Sequence, residues 1–367
     1  MGIKAGLVGL PNVGKSTLFN ALTKSSIPAE NYPFCTIDPH TAITQVPDAR
    51  LEKLATFFGS QKLIPNTVSF VDIAGLVKGA AAGEGLGNQF LSHIREVDLI
   101  IHVLRCFQDP DIIHTTGTVD PIADFEVIVA ELMLKDLESV NKRIERLPSY
   151  IKKTNDAQEK KTLETELALL IDIQKALDSG NNSEAKKIIK STAITMLPLL
   201  STKDFLIVAN IAEDDITNPS ANPYYQKVVA HFGSEFVIPV SAKIEGELSQ
   251  LPADQAEEMM DLLGITQPSL NSIISTTFTR LGLITFFTCG PKEAHAWPIL
   301  KGITVKQAAG EIHSDLQKGF IAAEVYNCAD LFALGSVSKV KELGKMRTEG
   351  QDYLVNDGDL LNIRFNV

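Results

Sequence analysis

A short glycine-containing stretch near the start of the chain has the residue types and spacing of a phosphate-binding loop. Residues 9–17 read Gly-Leu-Pro-Asn-Val-Gly-Lys-Ser-Thr, which is a glycine, four residues and then Gly-Lys-Ser. In such a loop, backbone N–H groups and a helix N-terminus surround phosphate oxygens with positive potential. Lys15 is expected to reach the β- and γ-phosphates of a nucleotide, and the Ser16 hydroxyl to bind Mg²⁺.

The residues on either side of this loop predict the elements that must position it. Ile3 to Val8 is a short apolar run with strand character, and Thr17 to Leu22 begins a helical pattern. Since a phosphate-binding loop joins a strand to a helix N-terminus, the flanks favour a real site over a chance match.

Two further segments supply candidate groups for the metal ion and the γ-phosphate. The loop Asn31 to Pro39 contains Thr36, a candidate Mg²⁺ ligand; Thr41 is the alternative, but it lies in a predicted strand. A second strand ends in Asp72-Ile-Ala-Gly75. Asp72 is expected to hold Mg²⁺ through water, and Gly75 to offer its N–H to the γ-phosphate.

The groups that activate water are less evident. Leu76 occupies the position where related enzymes carry a water-orienting Gln, and its side chain cannot orient water. Residues 79–87 contain four glycines, which favours a nucleotide-responsive switch over a static loop. His114 follows a buried strand, Val97 to Leu104, at its carboxyl end, so it is the catalytic candidate; a solvated loop histidine is the alternative.

The predicted base-binding segment departs from the guanine-specific pattern. The strand Phe205 to Ala209 leads into Asn210-Ile-Ala-Glu213, where guanine-specific enzymes have Asn-Lys-x-Asp. Ile211 replaces the Lys that packs on the base, and Glu213 is one methylene longer than the guanine-reading Asp. Adenine has neither the N1–H nor the 2-amino group that this Asp recognises, so the sequence does not favour GTP. After the strand Val237 to Val240, Ser241 and Ala242 are expected to pack on the base.

Between these α/β segments, residues 125–200 are predicted to form an inserted helical hairpin. Apolar residues from Ala130 to Ile151 recur at alternating steps of three and four, and Leu163 to Leu177 form a second stripe. Pro148 is expected to end or bend the first helix, and Ser183 to cap a third. The seam is interpreted as the hairpin's own core, with a partner-binding coiled coil as the alternative.

From residue 281 the pattern predicts a separate mixed sheet with one main helix. Its strands are Leu283 to Cys289, Phe320 to Tyr326 and Leu360 to Phe365, and the helix is Val305 to Leu316.

Composition narrows the possible partners and compartment. The 367 residues carry a net charge of −11, and no apolar run reaches the roughly 18 residues of a membrane span. Residues 125–200 hold 12 basic and 12 acidic residues, residues 281–367 hold 9 and 10, and the rest holds 13 and 23. Any RNA contact is therefore expected on these two segments. The four cysteines are far apart and are interpreted as reduced thiols of a cytoplasmic protein.

Several motifs together resemble one family. The phosphate loop, Asn-Tyr-Pro-Phe-Cys-Thr-Ile, Asp-Ile-Ala-Gly-Leu-Val-Lys-Gly-Ala, Gly-Glu-Gly-Leu-Gly-Asn-Gln-Phe-Leu and Asn-x-x-Glu resemble the YchF subfamily of Obg-type P-loop NTPases. Ala296-Trp297, Gly310 to His313, Lys318 to Ile321 and Gly344 to Arg347 resemble its C-terminal TGS domain, a β-grasp fold. The resemblance extends from end to end of the chain, in the right order.

This resemblance implies a fold and a set of site residues. The fold is an α/β P-loop NTPase, with a mostly parallel sheet and helices on both faces, over residues 1–124 and 201–280. A helical coiled-coil insertion at 125–200 and a TGS domain at 281–367 complete it. Together with the residues reached from the motifs above, the expected nucleotide residues are Asn12, Val13, Gly14, Lys15, Ser16, Thr17, Gly75, Asn210, Ile211, Glu213, Ser241 and Ala242. The resemblance implies Ser16 and Thr36 as metal ligands, beside the Asp72 expected from its place at a strand end, and His114 matches the family's pattern.

The expected function is that of a Mg²⁺-dependent ATPase that regulates translation or a stress response. It is expected to bind the ribosome, its large subunit or RNA through the helical and TGS domains. Its base site accepts ATP at least as well as GTP. No membrane and no specific DNA sequence is expected as a partner. A GTP-specific translation GTPase, and a nucleotide-gated binding protein with incidental hydrolysis, are the alternatives.

Overall fold

The computed structural model of the chain describes residues 3–26, 40–73, 86–112, 117–192, 194 and 197–366. Predictions for Thr36, Gly75, Leu76, His114 and most of the stretch at 79–87 lie outside the described residues. Within the described part, no helix has the length and apolar character that crossing a membrane requires.

The described residues form two sheets and a set of helices. The strands are β1 (Lys4–Val8), β2 (Thr41–Gln45), β3 (Lys62–Ile64), β4 (Thr67–Asp72), β5 (Leu99–Arg105), β6 (Phe205–Asn210), β7 (Val237–Val240), β8 (Leu283–Cys289), β9 (Glu293–Leu300), β10 (Phe320–Asn327), β11 (Arg347–Glu349) and β12 (Asp359–Phe365). The helices are α1 (Lys15–Lys24), α2 (Ala49–Phe58), α3 (Leu86–Glu96), α4 (Pro121–Lys153), α5 (Ala157–Asp178), α6 (Asn182–Ser191), α7 (Pro223–Phe232), α8 (Ala242–Leu248), α9 (Ala253–Leu263), α10 (Ser269–Arg280), α11 (Val305–Ile312), α12 (Ser314–Lys318), α13 (Cys328–Leu334) and α14 (Val337–Glu342).

The first sheet is mostly parallel, as predicted. Its strand order is β2-β4-β1-β5-β6-β7. Only β2 runs antiparallel to its neighbour, and the four other pairings are parallel. The carboxyl ends of β1, β4, β5 and β6 therefore meet at one edge, where ligands bind in open α/β sheets.

Both faces of this sheet are covered. Along β6, Leu206 and Val208 enter an apolar cluster that includes residues of α1 and α10, whereas Ile207 and Ala209 enter a cluster with α7. Because successive strand residues point to opposite faces, burial on both sides produces the continuous apolar runs seen in the sequence. The prediction of helices on both faces is confirmed.

The helical insertion is a hairpin of α4 and α5, followed by the shorter α6. Val140 and Leu147 of α4 pack with Leu170, Ile173 and Leu177 in one buried cluster. The seam is therefore the internal core of the hairpin, which confirms the interpretation preferred over a partner-binding surface.

Two details of the hairpin differ from the prediction. Pro148 lies inside α4, which continues to Lys153, so the helix does not end there. The cap of α6 is Asn181, whose side chain accepts from the backbone N–H of Glu184, and Ser183 is not the cap.

The second sheet lies in the C-terminal part, with the strand order β11-β10-β12-β8-β9-β3. Helix α11 packs on it: Val305 and Ala308 share a cluster with Phe286 and Val325. The predicted helix over Val305 to Leu316 is two helices, because His313 between them adopts an extended backbone and its ring accepts from the N–H of Asp315.

One strand of the second sheet, and one helix that packs on this sheet, come from the first part of the chain. Strand β3 pairs in parallel with β9, and Leu51 and Leu54 of α2 pack in one cluster with Phe287. We call residues 48–66 the strap, since they run from the first sheet to the second and back.

Polar contacts hold the strap in place. Arg50 forms ion pairs with Asp48 at 2.7 Å and with Asp357 at 2.5 Å. The buried amide of Asn66 donates to the Thr285 hydroxyl at 2.7 Å. This connection between the two sheets was not predicted from the sequence.

Candidate nucleotide-binding site

The phosphate-binding loop lies between β1 and α1 in a conformation that depends on glycine. Asn12 and Gly14 have φ values of 64° and 94°, and Gly14 immediately precedes α1. A Cβ atom on Gly14 would lie 2.2 Å from the side-chain nitrogen of Asn210, and one on Gly9 would lie 2.8 Å from the Val103 carbonyl oxygen. The loop is thus packed tightly against the ends of β5 and β6, and only glycine fits at these two positions.

The predicted lysine and the predicted metal-binding aspartate are in direct contact. Lys15 is only 8% exposed, and its ammonium group forms an ion pair with the carboxylate of Asp72. Asp72 is the last residue of β4, beside β1 in the sheet, so the strand order brings the two together. Ser16 and Thr17 are exposed at the start of α1. Phosphate oxygens that bind Lys15 would compete with Asp72 for its protons.

The donor set suits Mg²⁺ held jointly with phosphate. Asp72 offers a carboxylate and Ser16 a hydroxyl, which are the oxygen ligands that Mg²⁺ prefers. Among the described residues there is no group of three or more His, Cys, Asp or Glu side chains that would hold a metal ion without other ligands. A Mg²⁺ ion that needs the nucleotide's own oxygens to complete its coordination fits this arrangement.

Asn210 connects the phosphate loop to the predicted base loop. Its buried side chain donates to the Val13 carbonyl at 2.8 Å and accepts from the Ala242 N–H at 2.9 Å. Both ends of the amide are therefore used to hold backbone. Val13 itself is buried in the apolar core, so only its backbone faces the loop.

The predicted base-contacting residues have different surroundings. Ile211 is 2% exposed and packs in an apolar cluster, whereas Glu213 is exposed and its carboxylate accepts from the ammonium group of Lys243 at 2.6 Å. This hydrogen bond raises the pKa of Lys243. Ser241 is buried and caps α8 by accepting from the Ile244 N–H.

A cleft of about 720 Å³ joins the phosphate loop to the base loop. It is lined by Asn12, Gly14, Thr17, Phe107, Gln108, Asp109, Ile112, Asn210, Ile211, Ala212, Glu213, Ser241, Ala242, Lys243, Gly246, Glu247 and Gln250. Four predicted residues, Val13, Lys15, Ser16 and Asp72, are not among those lining it. The structure therefore brings eight of the predicted nucleotide residues to one cleft, with the Lys15–Asp72 pair beneath the loop.

Arg105, which the sequence motifs did not single out, organises one wall of this cleft. Arg105 is 2% exposed and ends β5. Its guanidinium donates to the carbonyls of Phe107, Asp109 and Ile112 at 3.2, 3.3 and 3.0 Å. The loop 107–112 is thereby wound around one buried cation, and it leads directly to the segment that contains His114.

A signal for Arg105 was present in the sequence. The strand Leu99–Arg105 is apolar except for His102 and this final arginine. A charged group at the end of a buried strand must find several hydrogen-bond acceptors, and the following loop is the nearest source of carbonyls.

We expect Arg105→Met to raise the Kd for ATP about tenfold, equivalent to about 1.4 kcal/mol, because the cleft wall loses its central donor. The three carbonyls left without a partner should also lower the free energy of unfolding by about 1–3 kcal/mol. Calorimetry with ATP and urea unfolding measure the two effects.

Arg280→Met is the matched control, since Arg280 also donates to a backbone carbonyl, that of Glu235, and lies over an aromatic ring, but does not line the cleft. Unchanged ATP affinity in a folded Arg105→Met protein would contradict the assignment.

Comparison with known proteins agrees with this geometry. Residues 4–135 match a family model described as "50S ribosome-binding GTPase". Residues 283–366 match the YchF-GTPase_C family model, described as "Protein of unknown function (DUF933)".

Curated relatives match over the whole chain. "Ribosome-binding ATPase YchF" of Bacillus subtilis (strain 168) is 45% identical over 376 residues, and that of Escherichia coli O157:H7 is 45% identical over 371, each covering 100% of both chains. "Obg-like ATPase 1" of Oryza sativa subsp. japonica is 44% identical and covers 100% of this chain and 92% of its own.

A solved structure has the same overall arrangement. The Schizosaccharomyces pombe YchF GTPase superposes with a TM-score of 0.84 and 37% sequence identity, covering 99% of this chain and 98% of that one. Identity at this level over the full length, together with the phosphate loop and the cleft, shows that the chain belongs to the YchF family.

Proposed function

We propose that the chain is a Mg²⁺-dependent ATPase that binds the ribosome and acts there as a nucleotide-dependent regulator. The relatives named above as ribosome-binding ATPases support both parts of this proposal. A ribosomal partner would also make it a cytoplasmic protein.

The ion pair between Glu213 and Lys243 at the cleft is the observation that supports ATP as the substrate. A carboxylate that reads guanine must accept hydrogen bonds from the base, but that of Glu213 already accepts from a lysine at 2.6 Å. Guanine would have to share or displace this lysine, whereas adenine has neither the N1–H nor the 2-amino group that such a carboxylate recognises. Because the ion pair is exposed, it contributes little free energy. We therefore expect the protein to lose the preference for GTP rather than to exclude GTP.

Ser16, Asp72 and Thr36 are the residues that would hold Mg²⁺, together with the phosphates. The bound ion would neutralise charge that develops on the transferred phosphoryl group. The side chain of Lys15, freed from Asp72, would bind the β- and γ-phosphates, and the loop N–H groups would orient them.

We further propose the division into a nucleotide domain at 1–124 and 201–280, a helical domain at 125–200 and a TGS domain at 281–367. The position of the strap modifies this picture, since residues 48–66 are covalently part of the first domain but pack with the third. The helical and C-terminal domains are the proposed ribosome-binding parts. If ribosomes accelerate ATP turnover, hydrolysis is coupled to that partner; an unchanged rate would favour an interaction protein with incidental hydrolysis.

ATP is expected to bind at least as tightly as GTP when each nucleotide is titrated calorimetrically against the pure protein with Mg²⁺. A preference for GTP of tenfold or more, about 1.4 kcal/mol, would overturn the assignment. Glu213→Asp should move the ratio of affinities toward GTP, and addition of Ile211→Lys should move it further. The gain from Ile211→Lys is limited because the new ammonium group starts from a buried apolar position.

Glu247→Asp is the matched control, since Glu247 also lines the cleft but lies outside the Asn-x-x-Glu motif. It should leave the ratio of ATP to GTP affinity unchanged.

A further inference from the structure

The far end of the helical hairpin is a basic region in an acidic protein. Residues 142–161, which we call the hairpin tip, comprise the last turns of α4, the connection and the first turn of α5. The tip carries seven Lys and Arg residues and three Asp and Glu residues, whereas the chain as a whole has a net charge of −11.

Most of these cations have no acidic partner. Arg143 pairs with Glu166 across the hairpin at 2.8 Å. The other six are exposed and form no ion pair with any residue that the structure describes; they are Lys142, Arg146, Lys152, Lys153, Lys160 and Lys161. Two of the three acidic groups at the tip are occupied locally: Asp156 caps α5, and Glu159 accepts from the Thr154 hydroxyl. The positive charge of the tip is therefore available to a partner.

Three of these cations share one face of α4 with an aromatic ring. Lys142, Arg146, Tyr150 and Lys153 follow at steps of four, four and three, which places them on one side of a helix over a length of about 16 Å. This face lies away from the hairpin core. Tyr150 is at its edge, where the guanidinium of Arg143 is 5.9 Å from the ring centroid. Tyr150 is 50% exposed. A row of cations with an exposed ring suits a phosphate backbone with a neighbouring base.

The hairpin holds this face away from the nucleotide cleft. Near its start, α4 packs on the first sheet through Ile128 and Leu132, and its 33 residues extend for about 50 Å. The seam between α4 and α5 is closed by its own apolar contacts, so a partner must use the outer faces or the tip.

The tip lacks the apolar groups that a protein partner would need. Tyr150 is its one large hydrophobic residue with a strongly exposed side chain among those described. Protein interfaces are centred on buried apolar or aromatic clusters, which are absent from this part of the described surface. Exposed Ser149 and Asn155 add hydrogen-bond donors of the kind that contact phosphate and sugar.

We propose that the outward face of the hairpin tip, formed by Lys142, Arg146, Tyr150 and Lys153, binds the phosphate backbone of ribosomal RNA. The inference rests on the proposed ribosome binding and assigns that contact to a surface. The contact is made at the distal end of the hairpin, so the ATP site and the RNA site are separate.

The test compares two triple variants of the full-length protein with equal net charge. The tip variant combines Lys142→Gln, Arg146→Gln and Lys153→Gln. The control combines Lys135→Gln, Lys175→Gln and Lys187→Gln, which removes three lysines of the helical insertion that pair with acidic neighbours on their own helices. Circular dichroism checks that both remain helical, and basal ATP turnover should be unchanged in both.

Binding is measured by co-sedimentation with purified ribosomes and by titration of extracted ribosomal RNA at several salt concentrations. The tip variant should bind both at least tenfold more weakly than wild type, and the slope of log affinity against log salt should fall by about one for each cation removed. The control should keep wild-type affinity and slope.

The outcomes separate this inference from the proposed function. Equal binding of the tip variant and the control would overturn the assignment of the tip and leave ribosome binding standing. Failure of the wild-type protein to sediment with ribosomes would overturn the proposed function and this inference with it. If the tip variant loses ribosomes while wild type shows no salt-dependent affinity for extracted RNA, the partner is a ribosomal protein and the inference is wrong.

Discussion

Replacing Lys15 with alanine should lower ATP turnover by about 10²–10³-fold, the range seen when a single donor to developing charge is removed. Lys15 follows the phosphate loop directly, and its buried ammonium group lies against Asp72, where the β- and γ-phosphates are proposed to bind. Steady-state ATP hydrolysis and calorimetric titration of Mg²⁺–ATP measure the loss of rate and of affinity. Ser16→Ala should also remove hydrolysis, with weaker binding of the Mg²⁺–nucleotide complex.

Lys24→Ala provides the matched control, because Lys24 is an exposed lysine in the last turn of the same helix. Thermal unfolding must accompany the kinetics, since Lys15→Ala leaves the carboxylate of Asp72 without its ion-pair partner. A well-folded Lys15→Ala protein that hydrolyses ATP at the wild-type rate would refute the phosphate-loop assignment.

His114→Ala is expected to lower kcat by about 10²-fold, the low end for a general acid–base group, with nucleotide affinity nearly unchanged. Leu76 has no group that orients water, so another polar side chain must do so. Arg105 positions the loop that precedes His114 as far as Ile112, beside the nucleotide cleft. A histidine at the end of this loop is suited to orient water or stabilise charge near neutral pH.

The exposed His313 of the C-terminal part supplies the control variant His313→Ala, which should hydrolyse ATP normally. Leu76→Ala should retain turnover, because an apolar side chain makes no contact with developing charge. If His114→Ala keeps the wild-type kcat, His114 is a loop residue, and water must be held by backbone, by the metal ligands or by a bound partner.

Much of the fold could be predicted because its elements carry local signals. The bounds of β7 and β8 agree with the predicted Val237 to Val240 and Leu283 to Cys289. Both are short apolar runs next to residues that favour turns, so sequence alone limits where each strand begins and ends. The phosphate loop could be predicted equally well, because its glycines and lysine lie at fixed separations in the sequence.

Other features depend on distant parts of the chain and have no local signal. Strand β3 is only three residues long, and its extended state is determined by pairing with β9, about 230 residues later. The cleft shows the same limit: the pairing of Lys243 with Glu213 follows from the relative position of β6 and β7.

The strap has a consequence for how members of this family can be divided or recombined. A fragment that begins at residue 283 lacks edge strand β3 and the apolar side chains of α2, so part of its own core is missing. A fragment that ends at residue 280 exposes Leu51 and Leu54 to water instead. The C-terminal structural unit is therefore built from two separate stretches of sequence. A chimera that exchanges the C-terminal region with that of a relative must therefore exchange residues 48–66 as well. Arg50 and Asp357 form an ion pair, so these two positions should be substituted together.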